Sequence, residues 1–164
     1  MSIQTNLQIR NFKWSDIDAL QRLLNEIGRH GHRNWPANAD ELRAELEFPR
    51  VKPKRNIALA EQDDQIVGYA IVELETNIGR SVIGIASSSM GLAIRKDLID
   101  WATNNAARET PIAHLSTRDN ETELEKLIAQ LGWSKVRRYL KLTTSSNITP
   151  AVAAVPDGFT VRTM

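Results

Sequence analysis

The stretch between Ser81 and Thr117 constrains the fold more than any other part of the chain. Ser81-Val-Ile-Gly-Ile-Ala86 reads as a strand, and 93–108 carries Ile94, Leu98, Trp101, Ala102 and Ala106 on one helical stripe. Pro111-Ile-Ala-His-Leu-Ser-Thr117 then reads as a strand again. A strand, a crossover helix and a second strand imply a parallel pair, because only a long connection brings the chain back to the same end of a sheet.

The preceding segments add antiparallel pairs to that unit. Leu7-Gln-Ile-Arg-Asn-Phe12 alternates apolar and polar residues, as a half-buried strand does. Ser15 is placed to cap a helix whose inward face is Ile17, Leu20, Leu24 and Ile27, with Gly28 or Gly31 as its stop. Asn38 and Glu41 have capping-box spacing ahead of a short helix carrying Leu42, Leu46 and Phe48, and Pro49 ends it. Arg50 to Arg55 is expected as a basic loop. Residues 56–61 and 66–75 form a long hairpin through Gln62-Asp-Asp-Gln65, and a turn near Asn77 to Gly79 leads into the Ser81 strand. Asn120 and Glu123 repeat the box spacing before Leu124, Leu127, Ile128 and Leu131, and Gly132 is the expected C-terminal stop. Trp133 to Thr144 reads as extended. The expected class is α/β: a mixed, mostly antiparallel sheet with helices on both faces.

Composition removes several classes of function. The 164 residues contain no Cys, which excludes disulfide frameworks, zinc fingers and thiolate nucleophiles. Lys plus Arg number 21 against 20 Asp plus Glu, and a net charge of +1 argues against a dedicated nucleic-acid binder. No apolar run reaches the roughly 18 residues of a membrane span, and the start lacks a basic-then-apolar leader pattern. A cytoplasmic domain is the expectation. The main domain is expected over 1–144, and 145–157 has the small, polar, Pro-containing character of a linker. Within 158–164, Phe159-Thr-Val-Arg-Thr-Met164 repeats the pattern of Leu7 to Phe12. Two readings stand open: a last strand of the same sheet, or the start of a second copy of the domain.

The segment Ile85-Ala-Ser-Ser-Ser-Met-Gly-Leu-Ala-Ile-Arg-Lys-Asp-Leu-Ile99 resembles the acyl-CoA-binding segment of the GNAT superfamily of N-acetyltransferases. Ile85 matches the strand-end Val of that family's pattern, Gly91 the Gly that follows its Arg, Ala93 the next Gly, and Leu98-Ile99 the paired Leu. The order of elements and Leu131-Gly-Trp133 are similar to the family as well. Met90 stands where the family has Arg or Gln, and Arg95 replaces the third loop glycine. The resemblance implies acetyl-CoA as co-substrate, held by Ile85, Ala86, Ser87, Met90, Gly91, Leu92, Ala93, Ile94, Arg95 and Asn120. It places the acceptor near the loop after the first helix, at His30, His32 and Trp35. It also implies direct acetyl transfer to an amine in a ternary complex. The acceptor would be a small-molecule or peptide amine, and a second GNAT-like domain in cis or a homodimer is the expected protein partner.

Physical chemistry sharpens these expectations. Backbone N–H groups at a helix start attract a pyrophosphate. Arg95 and Lys96 put positive charge in that first turn, which costs about 0.3–1 kcal/mol each without an anion and is reversed by a bound one. The alternative is that Asp97 offsets the charge and both basic chains point to solvent. Freeing the lone pair of a lysine-like amine at pH 7 costs about 4.6 kcal/mol, so transfer needs a base or desolvation. The Ser81–Ala86 strand holds no carboxylate, which leaves Glu73 and Glu75 as weak candidates, with a solvated strand face as their plainer role. The position of the family's helix Tyr is Ile128 here, so Tyr139 is the remaining weak candidate for the thiolate's donor. No motif ties a carboxylate to His30 and His32, so no metal is expected. The missing carboxylate and Tyr leave a second function open: a catalytically degenerate GNAT domain acting as a structural or regulatory half of a two-domain protein.

Overall fold

The computed structural model describes residues 7–30, 38–88, 94–118 and 121–139, together with 158 and 160. Five strands form one sheet in chain order: β1 (Leu7–Asn11), β2 (Ile57–Gln62), β3 (Gln65–Glu75), β4 (Arg80–Ser87) and β5 (Ile112–Leu115). The first three pairings are antiparallel and β4–β5 is parallel, as the crossover requires. The expected mixed, mostly antiparallel sheet is thus the observed one.

Helices cover both faces. On one side α1 (Ile17–His30) and α2 (Ala39–Leu46) pack Leu20, Leu23, Leu24, Leu42 and Leu46 against Phe12, Ile57, Leu59 and Tyr69. On the other, the crossover helix α4 (Ile94–Ala106) buries Ile94, Leu98, Ala102 and Ala106 against Ala60, Ala70, Val72 and Ile83. The alternation along β2, with Ile57 and Leu59 in one core and Ala60 in the other, is the period-2 pleat expressed as packing. A single helical turn, α3 (Pro53–Asn56), interrupts the expected basic loop, and α5 (Thr122–Gln130) follows β5.

Local chemistry sets the boundaries. The Asn38 side chain accepts the Glu41 N–H at 2.9 Å and donates through Nδ2 to Glu41 Oε1 at 3.2 Å, so the N-cap half of the expected box forms. Asp63 and Asp64, at φ of 50° and 61°, make the two-residue turn of the β2–β3 hairpin. Gly132, at φ of 84°, ends α5 as expected. Three expectations are corrected. The first helical turn starts at Trp14, with the Lys13 N–H donating to Asp16 rather than a Ser15 cap. α1 runs through Gly28 and ends at His30, immediately before Gly31, the second of the two expected stops. Phe48 lies beyond α2 and is exposed, its ring facing Arg50. From Trp133 to Tyr139 the chain takes no strand pairing, so that part of the extended segment is not a strand.

Candidate active site

β4 is longer than its parallel partner, and that mismatch creates the site. The β4–β5 ladder spans Arg80↔Ile112 to Ile83↔Leu115. Beyond Ile83, β4 continues through Gly84, Ile85, Ala86 and Ser87, paired on its other side with β3 from Ile71 to Gly68. Successive residues of a strand direct their N–H and C=O groups to opposite neighbours. Part of the Gly84–Ser87 edge therefore presents backbone donors and acceptors with no strand opposite them among the described residues.

Glycines let the surrounding elements close on this edge. A Cβ on Gly68 would stand 3.1 Å from Leu98 Cδ1 and 3.2 Å from the Ala86 carbonyl oxygen, so a side chain there would push α4 or β4 back by a few tenths of an ångström. Leu98 is fully buried, which fixes the start of α4 beside the end of β4. Ser88 continues the strand's direction, its N–H donating to the Val67 carbonyl at 2.9 Å. Its hydroxyl is buried and has no hydrogen-bond partner among the described residues.

Arg95 joins the elements around the opening. Its Nε donates to Ser87 Oγ at 3.0 Å, and its Nη1 lies 3.7 Å from Glu121 Oε1. The other Glu121 oxygen accepts the Arg118 N–H at 3.0 Å. The side chain is only 19% exposed, so it is not the solvated chain that the sequence left as one alternative. Lys96 differs: it is exposed and pairs with Asp100 one turn on, a contact that raises its pKa. Glu121 carries no signal in the sequence. An acidic residue at a helix start is common for dipole reasons, and nothing in its spacing ties it to Arg95.

The carboxylate candidates stand at the other end of β4. Glu75 lies opposite Arg80 and Glu73 opposite Val82, four and two residues before Gly84. At about 3.4 Å per residue these positions are about 14 and 7 Å along the strand from the opening. Arg80 hydrogen-bonds Glu75 and holds its carboxyl below the usual range, and Arg50 approaches Glu75 and Glu73 at 3.9 Å each. Tyr139 is exposed, its hydroxyl within 3.3 Å of Arg137 Nη1, and it lies in electrostatic reach of Arg80. Ile85, Ala86, Ser87, Ile94 and Arg95 are brought together at the opening. His30 closes α1, and its side chain, like Met90, Gly91, Leu92, Ala93, Asn120, His32 and Trp35, lies outside the described residues, as do 140–157 and the Phe159–Met164 pattern apart from Thr160.

No family model matches the chain, and no curated protein matches it. Solved structures do. A transcriptional regulator from Bacillus halodurans C-125 superposes with a TM-score of 0.64 at 25% identity, over 85% of this chain and 100% of that one. A putative acetyltransferase from Salmonella typhimurium, solved with its cofactor acetyl-CoA, gives 0.65 at 16% identity over 78% and 79%. A GCN5-related N-acetyltransferase from Sphaerobacter thermophilus gives 0.60 at 18% identity, over 76% of this chain but 42% of that one. The fold is that of the GNAT N-acetyltransferases.

Proposed function

We propose that this chain is an acetyl-CoA-dependent N-acetyltransferase that passes the acetyl group directly to an amine in a ternary complex. The observation that supports this is the opening between β4 and β5 with α4 starting beside it. The pantetheine arm of CoA is an extended chain with two amides, and the unpaired edge of Gly84–Ser87 can bond to it as to an added strand. Its pyrophosphate then reaches the start of α4, where the helix dipole and the positive charge of Arg95 favour an anion. The predicted loop residues Met90, Gly91, Leu92 and Ala93, with Asn120, complete the cofactor side of this reading, and His30, His32 and Trp35 its acceptor side. The acceptor is a small-molecule or peptide amine, and in this reading the protein works in the cytoplasm.

A second reading is favoured by one specific contact. Arg80 and Arg50 occupy Glu75 on β3, Arg50 also approaches Glu73, and β4 itself holds no carboxylate, so the amine's proton has no unpaired acceptor among these candidates. A domain that binds acyl-CoA without transferring its acyl group would tolerate that. The Bacillus halodurans protein is described as a regulator, and the Sphaerobacter protein is more than twice the matched length. The first, matched over its whole length, fits a regulatory role, and the second fits a domain that is part of a longer protein.

Thermal unfolding with acetyl-CoA, paired with a free-thiol release assay across amines, separates these readings. Binding at a hundredfold excess over Kd adds about 2.7 kcal/mol of stability. Stabilisation with amine-dependent thiol release supports the transferase, and stabilisation without release supports the second reading. No stabilisation at millimolar acetyl-CoA overturns the transferase and leaves a degenerate domain that does not bind the cofactor.

A further inference from the structure

We propose that the cleft between the last turns of α4, the end of β1 and the end of α3 is a second ligand site, which takes a small anion carrying one flat ring with polar edges. It stands apart from the β4–β5 opening and does not rest on the acyl-CoA reading. The cleft has a volume of about 260 Å³ and is lined by Asn11, Arg55, Trp101, Asn104, Asn105 and Arg108. That lies just below the roughly 300 Å³ at which sites for drug-sized ligands begin, so the occupant is small. α4 starts beside the opening, and Asn105 comes about 16 Å further along the helix axis than Ile94. Opposite ends of one helix therefore serve the two places.

The composition of one helical stripe carries the inference. Trp101, Asn104, Asn105 and Arg108 recur at i, i+3, i+4 and i+7, which puts them on one face. The neighbouring stripe of Leu98, Ala102 and Ala106 is core. This one instead holds an indole, a guanidinium and two adjacent carboxamides, from a residue that is a weak helix former. Asn105 is buried, and its Nδ2 donates to the Arg55 carbonyl at 2.8 Å, tying the end of α3 to α4. That bond gives Asn105 a structural role and fixes the cleft's walls. Asn104 and Arg108 are exposed, so packing does not account for them.

Each wall group selects one feature of the ligand. Trp101 is half-buried and packs partly against the core, and the part that lines the cleft is a surface on which a flat ring can stack. Carboxamides carry donors and an acceptor side by side, the pattern that reads the edge of a nitrogen heterocycle. Asn11 and Asn104 offer it from two sides of the cleft. Arg55 is balanced by Glu109, 2.5 Å from its Nη2, so the charge that an anion meets comes from Arg108. A ring with one anionic group has two sources, a mononucleotide or a heteroaromatic carboxylate.

The test is calorimetric titration of the full chain with AMP, with nicotinate and with inorganic phosphate, each repeated while tryptophan fluorescence is followed. Arg108→Gln should weaken the ring-bearing probe about tenfold or more. Asn104→Ala, which favours the helix, should weaken it about two- to tenfold and serves alone if Arg108→Gln does not fold. The fluorescence change on binding should disappear in Trp101→Phe, which keeps a ring in the packing. Binding of AMP alone assigns the site to nucleotides, and binding of nicotinate alone to aromatic acids; either sustains the proposal. It falls if neither binds at millimolar concentration, or if inorganic phosphate binds as tightly as they do. If Arg108→Gln binds them as the parent does, Arg108 serves only the negative end of the α4 dipole and the proposal falls. A fluorescence change that survives Trp101→Phe places the ligand elsewhere and overturns it equally.

Discussion

Glu75 and Arg80 face each other across the last rung of the β3–β4 ladder, carboxylate against guanidinium, with Arg50 approaching Glu75 from the segment after α2. The arginine hydrogen bond pushes the Glu75 pKa down, the opposite of what a general base near neutrality needs. Glu75→Gln should therefore leave kcat/KM for acetyl transfer within about threefold, against the 10²–10⁴-fold loss typical of a removed general base. A loss of a hundredfold or more, with an acid limb in the pH–rate profile that disappears in the variant, would return Glu75 to the catalytic machinery.

Arg10 and Asp16 tie β1 to the turn that starts α1, and the pair makes stability depend on pH. Burial pulls the Asp16 pKa up, but the Arg10 hydrogen bonds and the Lys13 N–H outweigh it, so the folded value lies below the ordinary one. A carboxyl depressed in the folded state contributes stability above its unfolded pKa of about 3.9, and loses it as pH falls through the lower folded value. Asp16→Asn should cost about 1–2 kcal/mol at pH 7, and the gap from the parent protein should narrow below about pH 4. Urea melts at pH 7 and pH 3 measure both; a gap that stays constant between them contradicts the assignment.

Much of the frame was legible because its signals are local. Asn38 and Glu41 cap their helix through atoms three residues apart, and the two aspartates between alternating strands mark their own turn. The parallel β4–β5 pair followed from the crossover helix alone. What escaped depended on register and reach. No pattern within Ser81–Ala86 says that its partner stops at Leu115, so the sequence indicates two strands but not the opening between them. Glu75 meets Arg80 only because the turn at Thr76–Ile78 with Gly79 sets the ladder, and that geometry lies outside any period-2 count. Arg95 was legible as an anomaly of helix electrostatics. Its counter-ion was not, since Glu121 comes from the far side of β5.

Asn56 is a buried amide whose contribution can be measured alone. It is 1% exposed at the end of α3, and its Nδ2 donates to the Val72 carbonyl at 3.0 Å. Asn56→Ala removes that donor and leaves a cavity beside β3, so it should destabilise by about 1–3 kcal/mol. Asn56→Asp should cost more, because it places a charge against a carbonyl oxygen in the core. Chemical denaturation that ranks Asp at or above Ala in stability would show that the amide is not buried as described.

The hairpin turn offers a change in the opposite direction. Asp63 and Asp64 both hold positive φ, a conformation that costs most side chains about 1–2 kcal/mol and Asn or Asp somewhat less. Two adjacent carboxylates add mutual repulsion at a point where no cation is paired to either among the described residues. Replacing the pair with Asn-Gly keeps a side chain suited to the first position, gives the second to the one residue without a Cβ, and removes both charges. The double substitution should raise stability by about 0.5–1 kcal/mol. Because the turn joins β2 to β3 and carries no residue of the β4 edge, CoA affinity should not change with it. A stabilised variant with unaltered Kd is the expected pair of results; a loss of stability would mean that one of the aspartates supports the turn through its side chain.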